Sequence, residues 1–513
     1  MKRYLLFLFI ASLSISFFSC REDFEFSPST GSLEFSKDTV YLDTVFTNIG
    51  SSTYNLKVYN HSNTDISIPV IRLANGGSSK FRLNVDGMAG KEFYNVELLA
   101  KDSMYVFIET TVDITDFTTT ELQYLYTDAI EFDTDQNLQK IELVTLVQDA
   151  VFLYPERDDE GTTETLILGE GEDATEISGF FLDDDELNLT NEKPYVIYGY
   201  AAVSSGKTLT IDAGARIYFH ADSGIIVASN GSLHVNGELS TDDELLENEV
   251  IFEGDRLEPD FADVPGQWGT IWLTQGSTEN IVNYATIKNA MVGIIMDSND
   301  GTANPTLTIN NTKISNSSNY GLWAQTANVV SENSVYGNAG LSSIYCSLGG
   351  KYNFKHCTFA NYWGNGYRSY PTVLLDNYLE TNDGIIAANM EEANFYNCII
   401  YGNNSLEFIV NFIDDVTYNY YLSNTLLKFN PTGSVDEDLY DFTNASLYNN
   451  VVRNQDPDFE DSSNSKYAIG EDSAANGLAS PTEGAVATDI NGTTRSTTTP
   501  DAGAYESQVF EED

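Results

Sequence analysis

Six residues recur seven times in the second half of this chain: Tyr284-Ala-Thr-Ile-Lys-Asn289, Asn311-Thr-Lys-Ile-Ser-Asn316, Asn333-Ser-Val-Tyr-Gly-Asn338, His356-Cys-Thr-Phe-Ala-Asn361, Asn397-Cys-Ile-Ile-Tyr-Gly402, Asn424-Thr-Leu-Leu-Lys-Phe429 and Asn449-Asn-Val-Val-Arg-Asn454. Their second positions, 285, 312, 334, 357, 398, 425 and 450, lie 22 to 27 residues apart in five of six steps. The remaining step, 41 residues from 357 to 398, reads as a winding that carries a long loop. A short apolar strand repeated at this period cannot bury its hydrophobic side alone, so it must stack on its neighbours, one winding per repeat. The pattern predicts a β-solenoid.

Within each winding Ile287, Ile314, Phe359, Ile400 and Leu427 are expected to point inward and stack at the ~4.8 Å strand spacing. Cys357 and Cys398 share a repeat position with Thr312, Ser334 and Thr425, a small inward slot. Buried free thiols fit that slot better than a disulfide does. Asn289, Asn316, Asn338 and Asn361 are expected to form a turn ladder, and Gly293, Gly321 and Gly340 to open the next strand at positive φ.

Upstream, residues from about 28 to 150 alternate with period two, as in Tyr54-Asn-Leu-Lys-Val-Tyr59 and Met104-Tyr-Val-Phe-Ile108, which predicts an antiparallel β-sandwich. Residues 151–190 are acidic and aperiodic, and read as a linker or insertion. Short strands punctuated by glycine then lead into the repeat. Across the chain 77 Asp and Glu stand against 25 Lys and Arg, a net charge of −52 that repels nucleic acid and excludes it as a partner.

The N-terminus has Lys2 and Arg3, an apolar run from Tyr4 to Ile10, and Ser19 before Cys20. This is a secretory signal too short to span a bilayer. Its end resembles the lipobox of bacterial lipoproteins, which implies acylation of Cys20 and a membrane anchor. Arg21-Glu22-Asp23 resembles the acidic stretch that marks surface export in Bacteroidetes lipoproteins. It implies an outer-membrane, lipid-anchored location facing the exterior.

The residues 28–150 are similar to the immunoglobulin-like modules of such surface proteins. The C-terminal text Asn454-Gln-Asp-Pro-Asp-Phe459, Asp489-Ile-Asn-Gly492, Arg495 and Pro500-Asp-Ala-Gly-Ala-Tyr-Glu506 resembles the ending of bacterial right-handed β-helix proteins of the pectin-lyase-like class. There the segment closes the last coil, which implies that Arg495, Asp501 and Glu506 form ion pairs of a cap. The expected all-β organisation is a signal peptide at 1–20, an immunoglobulin-like β-sandwich at 21–150 and an acidic linker at 151–192. A right-handed parallel β-helix with its cap follows at 193–506, and a tail at 507–513.

That class contains lyases, hydrolases and noncatalytic adhesins, so function has to come from a site. Trp323, Tyr362, Trp363, Tyr367 and Tyr370, with Arg368 among them, are candidate glycan-binding residues: sugar rings stack on aromatic faces, and arginine bonds to uronates. Asp297 and Asp300, in Asp297-Ser-Asn-Asp-Gly301, are candidate Ca²⁺ ligands. No convergent acid–base set is legible, and His356 holds a place taken elsewhere by Asn. The expectation is a noncatalytic surface protein that binds a polysaccharide. A polysaccharide lyase or glycoside hydrolase, with a loop at 364–391 bringing Arg368 and Asp376 toward Asp297 or His356, is the alternative. A structural envelope component is the third reading.

Overall fold

Apolar residues spaced one winding apart line up in the computed structural model, which describes residues 25–169, 174–382 and 384–510. Cys20, the signal segment and the tail beyond 510 lie outside the described residues. The chain divides into two units, 1–149 and 150–513.

In the first unit two sheets of six and five strands enclose one core that includes Leu56, Ile71, Phe81, Val106 and Leu143. Most pairs are antiparallel, as Tyr54–Tyr59 with Ser103–Thr110. The six-stranded sheet is mixed, because Thr39–Phe46 pairs parallel to Gln139–Gln148 and Ser27–Pro28 parallel to Ile66–Leu73.

The second unit is built from three mostly parallel sheets of eleven, ten and ten strands; the inner windings give one strand to each, while the first gives the second sheet an antiparallel pair, Thr165–Leu168 with Thr175–Phe181. One winding runs Lys313–Ser315, Tyr320–Gln325, Asn328–Glu332 and then returns to the first sheet at Val335–Gly337. In the first sheet Ile287, Ile314, Tyr336, Phe359, Ile400 and Leu427 stand in register and are fully buried. Each contributes about 1.5–3 kcal/mol of burial. Thr312, Ser334, Cys357, Cys398 and Thr425 fill the small slot beside them, and the three described cysteines are free.

Several expectations change. Residues 151–192 are a first winding rather than a linker: Val151–Leu153 pairs with Tyr195–Ile197, and Thr175–Phe181 pairs with Tyr200–Val203. The described acidic side chains there face solvent, with Glu186 half-buried, while Leu153, Phe180, Leu182 and Leu189 enter the core. The seventh repeat is displaced by one residue, since Leu426 pairs with Val452 and the left-handed turn residue is Asn450.

The left-handed ladder runs through Asn311, Asn333, His356, Asn397, Asn424 and Asn450, all near φ +50°. Asn333 donates to Asn311 and Asn450 to Asn424 along it, at 3.2 and 2.8 Å. In the ladder expected at 289, 316, 338 and 361, only Asn289 and Asn316 have positive φ. Gly293, Gly321 and Gly340 do not adopt positive φ; a Cβ on Gly321 would stand 2.5 Å from the Ser343 carbonyl oxygen. Close approach of neighbouring windings, not backbone angle, requires glycine there.

The C-terminal segment does not close the last coil. It runs along the outer face of the first sheet, where Ile469, Ala475, Ala479 and Ala502 pack on Ile399, Tyr401 and Leu426, and Tyr467, Ile490 and Ala504 on Val335 and Ala360. Arg495 pairs with Glu506 at 2.9 Å and donates to Asn333 at 3.0 Å, so the expected ion pair exists but sits on the side of the stack. Asp501 instead accepts from the Gly477 and Ser507 amides. At the end of the core, residues 430–447 take the place of a strand, with Tyr440 against Phe429 and Phe442 against Tyr448.

Candidate functional site

The long step in the repeat falls in the winding after Thr358–Asn361. Residues 362–372 leave the stack before Val373–Asp376, and a hairpin of Tyr378–Thr381 and Gly384–Ala387 leaves it afterwards. Five of the six expected glycan-binding residues lie on the first excursion.

Arg368 is buried and paired rather than presented to solvent. Its side chain is 1% exposed and that of Glu407, its partner at 2.7 Å, is 0% exposed. The guanidinium donates to both Glu407 oxygens, to the Asn361 and Tyr370 carbonyls and to Asn403 Oδ1. Glu407 also accepts from the Thr372 amide and hydroxyl and from the Asn404 amide. Arginine's planar fork suits such multiple bonding, and here it pins the excursion to the stack.

On one side of this anchor, Tyr362, Trp363, Asp263, Asn316, Asn338 and Asn464 line a cleft of about 290 Å³. Tyr362 is braced edge-on against Phe459 and stacked on Tyr467, with centroids 6.1 and 6.3 Å away. The Trp363 indole N–H makes no hydrogen bond among the described residues. An aromatic floor ringed by amides, at the small end of ligand-pocket volumes, is the chemistry a sugar ring requires.

On the other side, the outward face of the second sheet carries Trp272, Ile295, Trp323, Tyr345 and Leu374 in register. Trp323 and Tyr345 stack at 6.2 Å and 13°, and Tyr320 lies 5.3 Å from Tyr345. The Trp323 indole donates to Ser347 Oγ at 2.9 Å. Tyr370 approaches from the excursion: burial and the Asp376 carboxylate hold the Tyr345 phenol well above its ordinary range, with Tyr320 and Tyr370 adding to the effect. The expected set therefore separates. Tyr362 and Trp363 share the cleft, Trp323 lies on the sheet face, and Tyr367 and Tyr370 are 94% and 43% exposed on the excursion.

Asp376 accepts from the Tyr345 hydroxyl at 2.5 Å and from the Leu348 amide at 2.8 Å. Burial pushes its carboxyl up, and does the same to Asp297, whose carboxylate is held by the Trp272 indole at 2.6 Å. Asp297 lies opposite Gln325, Gln325 opposite Ser347, and the register continues to Asp376. Three strand steps of ~4.8 Å separate the two backbones by ~14 Å, whereas paired glycosidase carboxylates stand ~5–9.5 Å apart.

Asp300 is held separately by the Thr278 hydroxyl at 2.6 Å and the Thr302 amide at 2.9 Å. Among the described residues no group of three or more His, Cys, Asp or Glu side chains is placed to hold a metal ion. His356 is buried in the turn ladder, where Asn397 Nδ2 lies 3.1 Å from its Nε2, and burial lowers its pKa to about 3. The 364–391 region thus brings neither Arg368 nor His356 to a carboxylate cleft.

Tyr320 and Tyr345 escaped the sequence reading. Stepping one repeat of 22 residues on from Trp323 reaches Tyr345, so the signal was present. Asp263 and Asn464 come from distant stretches and carry no such signal.

No family model and no curated protein matches the chain. Among solved structures it is similar to a family 123 glycoside hydrolase from Clostridium perfringens at 8% identity and TM-score 0.16, over 23% of this chain and 26% of that one. It is similar to the E. coli chaperone DraB at 13% identity and TM-score 0.17, over 24% and 58%. The catalytic unit of an α-1,3-glucanase of family GH87 from Streptomyces thermodiastaticus matches at 11% identity and TM-score 0.22, over 77% and 88%. The chain thus spans 26% and 58% of the first two proteins. At these scores the likenesses carry neither activity nor substrate to this chain.

Proposed function

We propose that this chain binds a polysaccharide through the two aromatic surfaces that flank the 362–372 excursion. The observation that supports it is their arrangement: a cleft floored by Tyr362 and Trp363, and a half-buried row of Tyr320, Trp323 and Tyr345 on the outward face of the second sheet. The Arg368–Glu407 pair pins the excursion that carries Tyr362 and Trp363, the sheet itself holds Tyr320, Trp323 and Tyr345, and preorganised contact area lowers the entropic cost of binding. The lipobox-like end of the signal makes Cys20 the membrane anchor in this reading, with the protein on the outer membrane facing the exterior. The immunoglobulin-like and pectin-lyase-like resemblances belong to the same reading. So does a right-handed winding, the hand taken by ~98% of parallel crossovers.

A glycoside hydrolase is the competing reading, favoured by Asp376. Burial keeps its carboxyl toward the protonated form beside an aromatic row, as a general acid requires. Its nearest carboxylate along the register is Asp297, and their ~14 Å backbone separation favours binding over catalysis.

The test is incubation with plant, algal and host polysaccharides, reading retention on affinity gels and release of reducing ends. Retention without release, weakened about tenfold by Trp363→Ala or Trp323→Ala, is expected. Release of reducing ends abolished by Asp376→Asn would establish the hydrolase. Neither signal would leave a structural envelope component.

A further inference from the structure

The first unit carries a second patch of aromatic rings, unrelated in sequence to the solenoid. Strands Tyr54–Tyr59, Ser103–Thr110 and Phe81–Val85 lie side by side in the five-stranded sheet. Their inward residues, such as Leu56, Val58, Val106 and Ile108, are fully buried. Period-two alternation sends Lys57, Tyr59, Tyr105, Phe107, Asn55 and Asn84 to the other face.

That face holds a row. Tyr59 and Tyr105 flank the Lys57 ammonium, which stands 5.1 and 5.4 Å from their centroids. Tyr105 and Phe107 then stack at 6.1 Å and 20°, and His61 stacks on Tyr59 at 5.5 Å and 8°. Tyr105 is 48% and Phe107 43% exposed. Asn55 and Asn84 lie opposite Phe107 on the two neighbouring strands. None of the outward positions on these three strands is aliphatic.

Lys57 decides the ligand's charge. In a chain of net charge −52 it has no carboxylate within 4.0 Å among the described residues, whereas nearby Arg82 pairs with Glu109. An ammonium held between two rings and left without a counterion is complementary to an anion that presents an apolar ring face beside its charge. A row of several rings suits an oligosaccharide better than a single sugar.

We infer that this face is a second glycan site, specific for a carboxylate-bearing polysaccharide, with Tyr59, Tyr105 and Phe107 stacking on pyranose faces and Lys57 pairing with a uronate. It stands independently of the solenoid surfaces. No covalent step is involved.

The test uses the purified protein carrying Trp323→Ala and Trp363→Ala, so that the solenoid surfaces are weakened, with polygalacturonate and its fully methyl-esterified form as probes in calorimetry. Tyr105→Ala is expected to weaken both probes about tenfold or more, and Lys57→Gln to weaken polygalacturonate about tenfold while leaving the ester unchanged. Added salt is expected to weaken only the Lys57-dependent part. Unchanged binding in both variants, or loss of the ester on Lys57→Gln, would overturn the proposal. Failure of the solenoid reading would show differently, as full retention of every probe in the parent double variant.

Discussion

Replacing Arg368 by Met separates an anchor from a ligand residue. The substitution removes five donated hydrogen bonds and leaves Glu407, whose side chain is 0% exposed, with only the Thr372 and Asn404 donors. Breaking a buried pair from one side costs about 3–5 kcal/mol, because an uncompensated carboxylate stays behind or must take up a proton. The second unit runs from 150 to 513, and an unfolding entropy of ~2.1 cal/mol/K per residue turns that cost into a fall of about 4–7 °C in its melting temperature. Differential scanning calorimetry reads it directly. Arg368→Met with Glu407→Leu, which removes both charges, is expected to recover most of the loss. Glycan affinity should fall in the single variant as well, since binding must then order residues 362–372. A single variant that melts within about 1 °C of the parent and still loses glycan would place Arg368 against the ligand and refute the anchor.

Two further outcomes follow from burial. His356 stays neutral in the fold with its pKa near 3, while the unfolded imidazole titrates near ~6.5. Its contribution is therefore complete above about pH 6.5 and is lost as pH falls toward 3, with ~2.7 kcal/mol gone by about pH 4.5. Asp297 and Asp376, with carboxyls pushed up, act in the opposite sense, so the comparison of parent with His356→Asn in acid melts isolates the histidine. A parent and a variant with parallel pH profiles would refute it. For the cysteines, burial pushes the Cys357 thiol up to about 11 and those of Cys346 and Cys398 well above their ordinary value. A disulfide reagent at mild alkaline pH is expected to modify none of these three thiols in the folded protein and all three in denaturant; rapid modification of the native chain would show one at the surface.

The repeat made the stack legible because one winding buries its strand only against the next. Ile287, Ile314 and Phe359, and the cysteine slot at Cys357 and Cys398, followed from spacing alone. Depth did not. Spacing places Arg368 in a turn between Tyr367 and Tyr370 but is silent on Glu407, 39 residues further on, which takes it out of solvent. For the same reason the C-terminal text was misread as a closing segment where the structure has a lateral one, since Arg495 meets Asn333 across 162 residues. The 151–192 stretch misled in another way. The first winding is acidic on its outer surface, and charge there masks the few inward residues that make it part of the stack.

The lateral C-terminal strap has a consequence in time. A plain solenoid touches only nearest neighbours and can grow winding by winding as the chain emerges. Here Val335, Ala360, Ile399 and Leu426 receive their cover from Tyr467, Ala475, Ile490 and Ala504, which are made after them. Until then a strip of the first sheet faces water, and its closure waits on contacts of long sequence separation, the slow kind. That strip therefore stays uncovered until the residues that pack on it have been made, and uncovered apolar strand surface is prone to aggregate. The same late closure then ties the windings of Val335, Ala360, Ile399 and Leu426 to one another.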